Sequence, residues 1–191
     1  MNDNRKISAL NFTYKEHGEL LQHLKGHVFH LTCQSSYELI LCSKKICHNR
    51  DGRFGINTSS KCSYGRLKGY ICFFDLRDQD DHFIREVLDK YYFLAPSWFA
   101  VWDQYSKVWD LAYLILDPSY YDQLIPYEKA REEFKTTGKN FQVIPNAEVW
   151  IPDEVPMEWI AKVIMVEITK KSPAKGSLER ALWDLEAKEE K

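Results

Sequence analysis

Residues 142–156, QVIPNAEVWIPDEVP, set one carboxylate, Glu148, inside a short apolar run framed by prolines. If this run is a strand, side chains alternate between its two faces. Val143, Pro145, Ala147, Val149 and Ile151 then fall on one side, and Ile144, Asn146, Glu148 and Trp150 on the other. Glu148 shares its face with an amide and an indole, a surface suited to the wall of a site. The same pattern also fits an edge strand whose charge discourages aggregation, so the rest of the chain has to decide.

Strand-like runs recur on both sides of this stretch. Residues 160–168, IAKVIMVEI, alternate as an antiparallel strand does, and 111–117, LAYLILD, read as a central strand ending at Pro118. GYICFFDL, residues 69–76, is dense in β-formers and has a glycine at its entrance, where backbone can approach a ligand closely. VFHLT, residues 28–32, is a further strand, and 92–102, broken by Pro96, holds a short strand and a turn.

Helical spacing appears at 13–27 (Leu20, Leu21, Leu24), and at 35–45 with Ser35 or Ser36 as its cap. It returns at 80–91, after acids suited to a helix N-terminus, and around 128–134. The polar, glycine-containing 46–63 reads as a long loop and a functional candidate. Helices come early, and the strands that follow are separated by long irregular links, which predicts an α+β sandwich rather than regular βαβ winding. We expect one domain over 1–170 and a tail, 171–191, carrying an amphipathic helix with Leu178, Leu182 and Leu185.

Of 191 residues, 45% are hydrophobic and 14% aromatic, a globular composition, and no apolar run approaches the length of a membrane span. The beginning MNDNRKISALNF lacks the pattern of a secretion signal. Cys33, Cys42, Cys47, Cys62 and Cys72 are odd in number and show no C-x-x-C spacing, which predicts reduced thiols in a cytoplasmic protein. A zinc site from Cys42, Cys47, His48 and Cys62 lacks a paired ligand motif. No GxGxxG or GxxxxGK[ST] supports a nucleotide-binding loop.

Net charge is only −2, but residues 44–68 hold seven positive side chains against Asp51, a local excess of six. Such a segment faces something negative, nucleic acid among the candidates, unless the acids of 75–81 balance it.

In order along the chain stand His30 with Thr32 on an early strand, Tyr70 behind Arg66 on a second, and Glu148 on a late one. FHLTCQSSYELIL, SYGRLKGYICFFD and NAEVWIP resemble the three motifs of the ADP-ribosyltransferase superfamily, with a His-Tyr-Glu type triad. In style the chain is most similar to bacterial toxins of that superfamily that modify nucleic acid. The likeness spans residues 28–168, and it departs from the best-known branch at Leu31, where that branch has glycine.

The resemblance implies a split β-sandwich with flanking helices and NAD as substrate. It implies Glu148 and an arginine, Arg66 or Arg53, as catalytic groups. His30, Leu31, Thr32, Arg53 and Tyr70 would then contact NAD. It further implies a toxin or defence effector with a nucleic-acid acceptor, or a protein acceptor as the alternative. Separately, the apolar stripe at Leu178, Leu182 and Leu185 leads us to expect an inhibitor protein docked on the C-terminal helix. The residue types suit the chemistry: a carboxylate beside the ribose stabilises an oxocarbenium-like transition state and can deprotonate the acceptor. Imidazole can bond a ribose hydroxyl, and a phenol ring can stack on nicotinamide. A non-catalytic module that uses its basic loop to hold a partner is the rival expectation.

Overall fold

The structure, a computed structural model, describes residues 6–13, 17–54, 61–94, 108–138 and 141–169. The fold is α+β. Six strands form one mostly antiparallel sheet: β1 (Lys6–Thr13), β2 (Val28–Cys33), β4 (Tyr70–Asp75), β5 (Val108–Leu116), β6 (Glu148–Pro152) and β8 (Ile160–Thr169), in the order β1-β8-β5-β2-β4-β6. β3 (Lys45–Cys47) and β7 (Glu154–Pro156) make a separate two-stranded ribbon. Instead of two comparable sheets, then, one large sheet and a small ribbon carry the chain. Among the described strand pairs only β1 and β8 run parallel.

β5 shows why the sheet is buried on both sides. Leu111, Tyr113 and Ile115 enter one core, and Ala112, Leu114 and Leu116 enter the other, a period of two without interruption. The first core is covered by α1 (His17–Leu24) through Leu20, Leu21 and Leu24, and by α4 (Asp81–Lys90) through Ile84, Val87 and Leu88. Asp80 caps α4 by accepting from Phe83 N. The second core takes Tyr37 and Ile40 from α2 (Gln34–Ser43), Ile46 from β3 and Val155 from β7.

A third, smaller cluster joins α3 (Tyr64–Lys68) and α5 (Tyr127–Thr137) to the edge strand β6, through Tyr64, Ala130 and Trp150. Tyr64 Oη donates to Glu133 Oε2 at 2.8 Å, and Lys68 Nζ reaches Glu133 Oε1 at 2.8 Å, so one carboxylate ties the two helices.

Several elements differ from the sequence reading. The segment before α1 contains β1, an unexpected strand. Ser35 and Ser36 lie inside the first turn of α2; the N-cap is Cys33, whose thiol contacts both hydroxyls at 3.2 Å. Gly69 is the left-handed residue that ends α3 (φ 77°), so its freedom serves the turn into β4. The strand expected from residue 143 begins only at Glu148, because Pro145–Ala147 form a turn with Asn146 at φ 59°. Most of 92–102 and the helix expected around Leu178 lie outside the described residues. Among the described residues no helix is long and apolar enough to cross a membrane.

Candidate active site

β2 and β4 pair only through Val28 with Asp75 and Phe29 with Phe74; beyond Phe29 the two strands part. β2 stays on β5 through Cys33, while β4 stays on β6 from Tyr70 to Phe74. A cleft of about 570 Å³ opens at this parting. Its walls carry His30, Leu31, Cys72 and Glu148 from the strands, and Ser63, Tyr91, Phe93, Phe141 and Gln142 from the connections.

Alternation places Leu31, Cys72, Phe74 and Glu148 on one face of the sheet and His30 on the other, where its ring lies 5.7 Å from that of Phe73. The imidazole nevertheless lines the cleft, because the strands no longer close over it. Its Nδ1 sits 2.8 Å from the carbonyl oxygen of Cys72. A carbonyl only accepts, so Nδ1 carries the hydrogen, and the ring fills the place of a missing ladder bond. Burial holds the imidazole below its ordinary pKa, with the Cys72 carbonyl opposing. The ring is therefore neutral, and Nε2 presents a lone pair.

Glu148 is 5% exposed and is, among the described residues, the one charged side chain that is buried. Both oxygens are occupied. Oε2 accepts from the backbone N–H of Ile144 at 2.9 Å, and Oε1 accepts from the indole Nε1–H of Trp150 at 3.0 Å. The turn 144–148 wraps the group, since Glu148 N donates in return to Ile144 O at 3.0 Å. Burial raises the carboxyl pKa, offset in part by the Ile144 N–H, the Cys72 thiol and the Trp150 indole. The thiol of Cys72 is pushed well up by burial and then by the carboxylate beside it. A carboxyl with a raised pKa on the wall of a cleft can take a proton from a bound hydroxyl or amine and stabilise nearby positive charge.

The other residues singled out in the sequence lie elsewhere. Thr32 is half-buried on β2 opposite Ala112, outside the lining. Tyr70 is on the face of Cys72 but packs edge-on against Tyr64 (6.1 Å) at the far end of β4. Arg66 turns back on its own chain: Nε and Nη2 donate to Lys61 O at 3.2 and 2.5 Å, and Nη1 to Arg50 O at 3.2 Å. It braces the basic segment instead of reaching the cleft. Arg53 pairs with Asp51 at 2.9 Å, beside a second cavity of about 210 Å³ at the β3–β7 ribbon.

The cleft also contains residues that the sequence reading did not select. Cys72 is two residues from Tyr70 in one strand, and period two alone would have paired it with the site face. Phe93 and Phe141 carry no such signal, because connections set their positions. All five cysteines are free, and among the described residues no three metal-ligating side chains converge. Comparison with protein families, with curated proteins and with solved structures finds no match.

Proposed function

We propose that this chain is a NAD-dependent mono-ADP-ribosyltransferase whose acceptor is nucleic acid. One observation carries the reading: a neutral imidazole and a buried carboxylate line one cleft at the parting of two strands. His30 Nε2 accepts from a ribose hydroxyl. Glu148 faces the anomeric carbon as its bond to the nicotinamide nitrogen breaks. The bonding pair leaves with nicotinamide and cancels that ring's positive charge, while the carboxylate stabilises the charge developing on the ribose. An acceptor oxygen or nitrogen then bonds to the same carbon, and its proton passes to Glu148.

The stacking role expected of Tyr70 falls instead to the aromatic wall. Phe93 is 36% exposed and stands edge-on to Phe74 and Tyr91, each with ring centres 6.4 Å away. The parting of β2 from β4 supports the split-sandwich reading of the fold. The acceptor class follows from the basic segment 44–68, within which Ser63 lines the cleft. Among the described residues its Lys44, Arg50 and Lys61 make no ion pair with an acid, leaving charge for phosphates.

The test is incubation with labelled NAD and with RNA or DNA, following free nicotinamide and label on the polymer. Wild type releases nicotinamide and labels the polymer, and Glu148→Gln loses about 100-fold of both. Wild type that neither shifts its melting temperature with NAD nor releases nicotinamide overturns the proposal.

A further inference from the structure

Trp150 is fully buried, and its indole N–H is one of the donors that hold the Glu148 carboxylate. What holds the indole is on another element. Gly65, in α3, stands where an added Cβ would meet Trp150 Cδ1 at 2.8 Å and Nε1 at 3.1 Å. Real side chains do not approach that closely, so this contact exists only because residue 65 has no side chain. The neighbouring Tyr64 ring packs on the indole at 4.7 Å. On the other side, the backbone of Trp150 is pinned by a two-way exchange with Ile125, at 2.7 and 3.1 Å.

We infer that Gly65 and Trp150 are positioning residues for Glu148: the bare backbone of α3 seats the indole, and the indole fixes the carboxylate on the cleft wall. The same chain of contacts runs outward, because Tyr64 and Lys68 anchor α3 to Glu133 of α5. Helix α5 is thereby linked to the carboxylate through α3 and Trp150.

The inference rests on the proposed role of Glu148, and its test reads the carboxylate directly, apart from turnover. Glutamate carrying carbon-13 at Cδ reports ionisation by NMR, and the Glu148 signal is the one lost in Glu148→Gln. Trp150→Phe keeps a buried ring but has no N–H, so the Glu148 midpoint moves upward: a donor that favours the ionised form is gone. Gly65→Ala moves it the same way. The double variant moves it no further than Trp150→Phe alone, since both act through one N–H. NAD cleavage falls about ten-fold in each single variant, with the acidic limb of the pH–rate profile displaced to higher pH.

A folded Trp150→Phe chain with an unmoved Glu148 midpoint overturns the inference, whatever its turnover. Should that variant fail to fold, the wild-type indole decides. Its N–H resonance follows the Glu148 titration, and a resonance indifferent to that titration overturns the inference. A moved midpoint in a chain that never cleaves NAD upholds the positioning and removes the proposed reaction.

Discussion

Glu148→Gln separates a carboxylate held by a donor on each oxygen from one merely tolerated in the core. Both oxygens of Glu148 accept, one from Ile144 N and one from Trp150 Nε1. A carboxamide supplies one acceptor oxygen and one NH2, so one of these two donors is left facing another donor. An unpaired buried donor costs about 1–3 kcal/mol. In a chain of this size about 2 kcal/mol lowers the melting temperature by roughly 4–8 °C.

The pH dependence of that loss is fixed in sign. Burial raises the folded pKa of Glu148 above the ordinary carboxyl value of 4.5, so the native state holds this proton more tightly than the unfolded chain. The resulting stabilisation is fully present below the unfolded pKa and is lost as pH rises through the folded one. The carboxamide of the variant has no such titration, so the stability gap between wild type and variant narrows as pH rises across that window. Thermal unfolding followed by circular dichroism, from the carboxylate range up past neutrality, measures both effects. An equal melting temperature at the acid end, or a gap that widens with pH, would refute the reasoning.

Three further outcomes are expected. His30 is held below the ordinary histidine value of 6.5 by burial, so its stabilisation is present above that value and lost as pH falls through the folded pKa; wild type should lose stability relative to His30→Gln in mildly acid melts. Tyr70→Phe should leave the KM for NAD within about two-fold, while Phe93→Ala, which removes a stacking surface, raises it about 5- to 10-fold in steady-state assays. Replacing Lys44, Arg50 and Lys61 by Gln should reduce the salt slope of nucleic-acid binding by roughly 2–3, measured by titration at several ionic strengths.

The central strands were legible because each is buried on both faces or bounded by strong breakers. YICFFD and LAYLIL have no other home than a covered sheet, and α4 carries both its cap and its apolar stripe within one window. β1 was not legible: it owes its place to a parallel partner about 150 residues away, Lys6 lying against Lys162. Within the site, Glu148 stood out as a charge in an apolar run, and His30 by its strand. Alternation does not locate the start of β6, because Pro145-Asn146 is a turn signal in its own right that interrupts the period. Tyr70 shows the limit of alternation: the period gives the face, but the distance along the strand decides whether a side chain reaches the cleft.

β8 lies between β1 and β5, so β1 leaves the ribosome long before the neighbour it pairs with has been made. Until then β5 lacks one flank, and β1 has no place on the sheet. Ordering such a chain waits on its longest-range pairing, which slows folding. A nascent chain stalled before residue 160 already carries His30, Cys72 and Glu148 on the neighbouring strands β2, β4 and β6, yet lacks β8, the flank of the β5 strand on which β2 lies.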